Sequence, residues 1–536
     1  MGNTLFARCL LHGFLVYVAY YVCVGAERVP IRSTPLGNVK GFYMKTRGGR
    51  EISAFTAIPY AEPPVNDLRF RAPVPISPWQ GDHDASAVSP ICIQRNPYVR
   101  QQEIVGQEDC LYLNIYSPFT ENVSYLYNEE FSTVRGPLGF LSTQDKYCPG
   151  NNGLKDQQEA LRFIQRNIHA FGGNNQSVTI FGESAGGASV NLHMLSETSA
   201  GLFHKAISES GTALVPWAEA PPGEAIKNAH RLAKLLSCPE GPSDIMIECL
   251  RKLDGYDIIA TDSDLYTWDL DQMTPFKAVI EPDHPGAFLF RSPRSPPVTD
   301  LVPWLTGLNK DEGCLKSVWI TAYPDRYKEF VSKFDTIAPV TFYYEGSPHA
   351  EHITTTLKAT YFGDNEKDVK DGILKVYSDS YFAYPMVKSV EQALNYSSNP
   401  VYLYELTYRG ANSFSQIFGD PNGDYGKYAT LFRVCHADEL MYLFPIHFLH
   451  NEFTEEDNNM LELIVTIWTN FAISGNPNKP QEVPFNWHPA TSGHKMEYLE
   501  IGKKQIMKKN LASQSRLWDS LPLWHNVKER RLTDEL

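Results

Sequence analysis

Between Val178 and Leu195 the sequence changes its period within five residues. Val178-Thr179-Ile180-Phe181 is a short run of β-branched and aromatic residues, and Ala185 to Leu195 reads as a helix. The turn between them is Gly182-Glu183-Ser184-Ala185-Gly186, a GxSxG pattern. A serine on such a strand-to-helix turn projects its hydroxyl from the end of a sheet, and the small residues two before and two after it avoid backbone clashes. The helix N-terminus and the Ala185 amide favour negative charge beside that hydroxyl. Gly-Ser turns are common in long chains; the strand before this one and the helix after it give it chemical meaning.

The rest of the chain agrees with that local reading. Strand-like runs (Gly37 to Tyr43, Ile52 to Ile58, Leu111 to Tyr116) dominate the first part, separated by turns such as Glu62-Pro63-Pro64. From about residue 154 helices alternate with short strands. Leu161, Ile164, Ile168 and Phe171 recur at helical spacing and predict an amphipathic helix over 155–171. Further helices are expected around 223–236, 324–334, 380–394 and 456–473, with strands near 302–308 and 401–406. The pattern predicts an α/β fold with a mixed, mostly parallel sheet covered by helices. No repeat, low-complexity tract or linker divides the chain, so residues 27–536 read as one large domain rather than the three or four that length alone suggests. A formal charge of −14 and the absence of a basic run argue against nucleic acid or anionic lipid as a partner.

Residues Met1 to Ala26 differ from the rest of the chain. Arg8 is a short positive region, Leu10 to Val24 is nearly all apolar, and Val24-Gly25-Ala26 offers small residues before the charged Glu27-Arg28. That is the layout of a secretory signal peptide, and the apolar run is shorter than the roughly 20 residues of a membrane span. No later stretch is apolar enough to span a bilayer. Sequons at Asn122, Asn175 and Asn395 fit a glycoprotein of the secretory route. The chain ends Thr533-Asp534-Glu535-Leu536, close to an ER-retention signal but with Thr where Lys or His is usual, so ER retention and secretion both stay open. Cys92 and Cys110 bracket a 17-residue polar loop and Cys238 and Cys249 a shorter one, so both pairs could close local disulfides. Cys148, Cys314 and Cys435 have no obvious partners. His447 and His450 lack a third ligand nearby, and no zinc site is expected.

A serine nucleophile needs a base, and the base an orienting acid, in chain order Ser, Asp/Glu, His for this architecture. Leu305 to Gly313 places Asp311 and Glu312 in a turn after a strand, and Phe432 to Glu439 places His436 before a helix-like segment. Separations of 128 and 124 residues allow no local argument that they meet. From the residues alone, the favoured readings are a solvated turn acid for Glu312 and one of fifteen ordinary histidines for His436.

Four stretches together carry a resemblance. They are Glu108-Asp109-Cys110-Leu111-Tyr112-Leu113-Asn114, Gly136-Pro137-Leu138-Gly139-Phe140, Gly150 to Gln157, and Phe181-Gly182-Glu183-Ser184-Ala185-Gly186-Gly187. From about Val29 to Leu517 the sequence resembles the type-B carboxylesterases, which include the cholinesterases and juvenile-hormone esterases. The resemblance implies an α/β-hydrolase fold and a serine carboxylesterase acting on a small hydrophobic ester without cofactor or metal. It casts Ser184 as nucleophile, Glu312 (with Asp311 as fallback) as the acid, His436 as base and the Ala185 amide as an oxyanion-hole donor. It also pairs Cys92 with Cys110 and Cys238 with Cys249. The implied mechanism is acyl transfer, with His436 taking the Ser184 proton and water cleaving the acyl-enzyme.

The chain departs from the family pattern twice. Ile93 to Asp109 contains no Trp to hold a quaternary ammonium, which argues against choline esters. More seriously, only Ser117 to Arg135 stands where the family has a strand, an HGGG-type glycine loop and a second strand, and no His-Gly-Gly occurs after residue 26. Central strands are therefore expected to be missing between residues 117 and 135, and two oxyanion amides with them. One lost donor typically costs about 10²–10³ in kcat. Two readings compete: an esterase slowed by that loss, and a catalytically silent secreted relative that binds hydrophobic ligands or protein partners.

Overall fold

The computed structural model describes residues 28–96, 103–118, 136–418, 434–446, 449, 451–492, 496–511, 515–524 and 526. The leader over 1–26, Asn122, most of the shortened block (residues 119–135), His447, His450 and the C-terminal tetrapeptide lie outside the described residues.

Twelve strands are described: β1 (Ile31–Thr34), β2 (Gly37–Lys40), β3 (Phe42–Lys45), β4 (Glu51–Pro59), β5 (Asp82–Asp84), β6 (Tyr112–Pro118), β7 (Thr179–Glu183), β8 (Lys205–Glu209), β9 (Trp304–Asn309), β10 (Val401–Leu406), β11 (Glu497–Ile501) and β12 (Gln505–Lys509). The helices that matter for the site are α1 (Asn152–Asn167), α2 (Ala185–Leu195), α3 (Cys314–Ala322), α4 (Tyr384–Tyr396) and α5 (Glu455–Ser474).

The main sheet has the order β12-β11-β10-β9-β8-β7. All its neighbours are parallel except β11 and β12. Parallel strands covered on both faces alternate between two buried surfaces. Here Val401 and Leu403 enter one core cluster and Tyr402, Tyr404 and Leu406 the other. Trp304 and Leu308 likewise lie on the face opposite Leu305. The second face is closed by α5, which contributes Ile464, Ile467, Trp468 and Phe471. Its start is fixed by a capping box in which Thr454 and Asp457 exchange side-chain and backbone bonds. Gly307 lets the Tyr404 ring lie against β9, because a Cβ there would stand 2.2 Å from that ring.

The early strands form two small sheets, β1-β2-β5 and β3-β4-β6. The run Gly37 to Tyr43, expected as one strand, is two. Gly41 passes so close to β4 that a Cβ would lie 2.1 Å from the Ala54 carbonyl, and the chain changes sheets there. Among the described residues no ladder joins β6 to β7. The β3-β4-β6 sheet packs instead on the turn that follows α1: Phe55 stands edge-on to Phe171 with centroids 5.0 Å apart, and Ser117 Oγ donates to the Phe171 carbonyl. Among the described residues no helix is long and apolar enough to cross a membrane.

Candidate active site

Ser184 stands where β7 ends and α2 begins, with φ 57° and ψ −116°. A non-glycine residue at positive φ is strained, and the neighbours hold it there. Its N–H donates to Glu209 O at 2.8 Å, its carbonyl accepts from Ala188 N at 2.9 Å, and Gly211 passes so close that a Cβ would sit 2.1 Å from the Ser184 carbonyl. Gly182 is needed equally, since a Cβ there would meet the Gly186 backbone at 2.6 Å.

The fold brings the distant segments together. His436 Nε2 lies 2.9 Å from Ser184 Oγ, and His436 Nδ1 lies 2.6 Å from Glu312 Oε2. Glu312 and His436 are buried and Ser184 is half-buried. Glu312 Oε1 accepts from Ser210 Oγ at 2.5 Å and from the Asn309 amide at 2.6 Å, so the carboxylate is aimed before the imidazole meets it. With Nδ1–H directed at the carboxylate, Nε2 presents a lone pair to the serine hydroxyl. Asp311 faces elsewhere: its carboxylate accepts from Val434 N at 3.0 Å and its own N–H donates to Val434 O at 2.8 Å. Geometry thus separates the two acids that the sequence left side by side. Ala185 is the first residue of α2 and is exposed.

Three further carboxyls were missed by sequence reasoning: Glu183, Glu209 and Glu439. Glu183 occupies the first x of GxSxG and Glu209 the Ser-Glu-Ser-Gly run at the end of β8, patterns that carry no catalytic signal of their own. Glu183 Oε1 lies 3.1 Å from His436 Nε2. Glu209 is its register partner across the β7–β8 ladder and accepts from Trp468 Nε1. Glu439 accepts from Asn309 Nδ2. Burial pushes all three up from the usual carboxylate range, and the other carboxyls of the cluster add to it. Burial alone would depress His436, but Glu183 and Glu312 outweigh it and lift the imidazole to about 9. Glu183, Glu312 and Glu439 all act on the one imidazole, so several carboxyls together set its charge.

The pH dependence of the site has a definite sign. A general base must be neutral, so with His436 in that role reaction at Ser184 is expected to rise as pH climbs through the His436 pKa. Glu183→Gln removes a charge that raises that pKa, so the acid limb of the rate profile moves to lower pH, by about 1–3 units for a charge this close. The pH dependence of fluorophosphonate labelling checks it; an unmoved limb would rule out control by Glu183.

The two expected disulfides are present, Cys92–Cys110 and Cys238–Cys249. Cys314 and Cys435, which had no obvious partners, form a third. Their 121-residue separation hides the pairing from any spacing argument. Cys148 is free and buried. Trp217 and Phe276 belong to the core, and the Trp217 N–H donates to Tyr381 O. Asn175 Nδ2 already donates to Gln165 O at 3.0 Å, whereas Asn395 is exposed near the end of α4. Among the described residues no group of three His, Cys, Asp or Glu side chains is arranged to hold a metal ion.

A mostly parallel sheet with helices on both faces, and a serine on a tight strand-to-helix turn, define an α/β hydrolase. The chain matches the Carboxylesterase family over residues 28–133 and 135–518, and it belongs to that family. It is 32% identical to a juvenile hormone esterase of Tribolium castaneum, covering 91% of this chain and 90% of that one. It is 33% identical to venom carboxylesterase-6 of Apis mellifera over 93% and 96%, and 29% identical to an acetylcholinesterase of Bungarus fasciatus over 88% and 83%. The alignment with the Tribolium protein runs over 538 positions yet uses 91% of a 536-residue chain, so some positions are filled only by the relative. The family match is interrupted at residue 134, inside the shortened block.

Proposed function

We propose that the chain is a serine carboxylesterase of the secretory pathway, built as one domain over 27–536 after loss of the leader 1–26. Ser184 attacks the ester carbonyl, His436 takes its proton and returns it to the leaving alcohol, and Glu312 orients and stabilises the imidazolium. Water, activated by the same imidazole, releases the acid. The Ala185 amide supplies one donor to the oxyanion, and chemistry is slow for want of the glycine-loop donors. The observation that carries this reading is the unbroken contact chain Ser184–His436–Glu312 at 2.9 and 2.6 Å. Three disulfides fit an oxidising compartment. The substrate is a small neutral ester, as the acidic balance and the lack of a Trp in the first disulfide loop suggest.

The test is labelling by a fluorophosphonate with mass mapping of the adduct, beside p-nitrophenyl acetate hydrolysis. Slow modification confined to Ser184 supports the proposal. Modification elsewhere, or none at any pH, rejects it. In secreted material the sugar is expected on Asn395 and not on Asn175, whose amide is engaged. Peptide mapping after glycosidase treatment reads this directly, and a modified Asn175 would contradict it.

A further inference from the structure

Cys314 and Cys435 are placed where a cross-link bears on the chemistry. Cys314 lies two residues past Glu312 and begins α3, and Cys435 immediately precedes His436. Both are fully buried, with Cα atoms 5.6 Å apart, and they form a small core of their own with Val318, ringed by Leu374, Phe414 and Phe418. Around the cross-link the two segments make a local seam. Asp311 bridges to Cys435, Asn309 Nδ2 donates to Cys435 O at 2.8 Å, and the His436 N–H donates to Cys314 Sγ at 3.3 Å.

Both sides of the seam have further ties; on the base side the Cys435 N–H donates to Asp438 Oδ2 at 2.8 Å and Glu439 accepts from Asn309 Nδ2. The Glu312 carboxylate is fixed from its own side by Ser210 and the Asn309 amide. His436 has its ring against Phe382, centroids 4.7 Å apart, but its backbone amide is bonded to the disulfide sulfur itself. The imidazole must reach Glu312 at one end and Ser184 at the other. A displacement near 1 Å at such a position can cost about 100-fold in rate.

We infer that the Cys314–Cys435 disulfide is a positioning brace that ties the acid turn to the base loop and so sets the Glu312–His436 contact. The inference rests on the reading of Glu312 and His436 as acid and base. It differs from a purely structural cross-link in what its loss does: the geometry of the imidazole changes, not only the resistance of the chain to unfolding.

The experiment compares C314A/C435A with C238A/C249A, which removes a disulfide outside both the acid turn and the base loop. Labelling of Ser184 by a fluorophosphonate gives the maximal rate and the apparent affinity separately, and the His436 ring signals are titrated by NMR. The brace variant is expected to lose about 100-fold in maximal rate with unchanged affinity, and its His436 midpoint to fall as Glu312 draws away. The control variant loses thermal stability yet keeps rate and midpoint. A brace variant with the parent's rate and midpoint overturns the proposal. If C314A/C435A does not fold, parent protein reduced only at this disulfide, verified by mapping alkylated cysteines, takes its place under the same criteria. A parent that resists labelling altogether defeats the catalytic reading instead, and the titration still decides the brace.

Discussion

Insertion of the glycine-loop block of a carboxylesterase relative between Ser117 and Gly136 raises p-nitrophenyl acetate turnover by about 10²–10³-fold for each oxyanion donor regained. The oxyanion of the tetrahedral intermediate needs several N–H groups aimed at one point. On the proposed reading the elbow at Ser184 supplies the Ala185 amide, and the chain has no His-Gly-Gly after residue 26 to supply the others. Nothing else in the contact chain needs repair, since Ser184, His436 and Glu312 already stand at hydrogen-bond distance. The gain therefore belongs in kcat rather than KM, because the donors act on charge that exists only in the transition state. Steady-state kinetics on parent and graft decide it, with circular dichroism to confirm folding. A folded graft no faster than the parent would mean that the parent already holds its full set of donors.

The second large effect is expected in that restored background, where rates are high enough to measure a fall. Glu312→Gln lowers kcat by about 10⁴ with little change in KM. The amide fits the space, but it turns an N–H toward His436 Nδ1 or forces the ring into its other tautomer. Either way Nε2 no longer offers a lone pair to Ser184. Asp311→Asn is the contrasting substitution, because Asp311 bonds the Val434 amide and not the imidazole. It costs about 1–3 kcal/mol of stability, read as a lower thermal midpoint, and leaves kcat within the same order of magnitude. Equal losses of kcat in both variants would contradict the assignment of Glu312 as the acid.

What the sequence revealed and what it hid have separate physical causes. Periodicity located α1, α2, α5, β9 and β10 because each buries a regular stripe or both faces of a strand. It ran Gly37 to Tyr43 together because the break at Gly41 comes from contact with Ala54, thirteen residues on. Ser184 was legible because its turn is local. Glu312 and His436 needed the family resemblance, since tertiary folding alone joins segments 124 residues apart. The Cys314–Cys435 bond and the carboxyl cluster were hidden for the same reason. Glu183, Glu209 and Glu439 look like ordinary acids until the register of β7 and β8 sets Glu183 beside the buried Glu209 and the end of the His436 loop buries Glu439.

The sheet order carries a mechanical consequence. Among the described residues β7 is laddered on one side only, to β8. Ser184 sits at the tip of β7, clamped by β8 along the strand and by α2 at its end. A small change in β8, such as trimming Ile207, would reach the hydroxyl through that ladder, since Ile207 pairs with Phe181 three residues before Ser184.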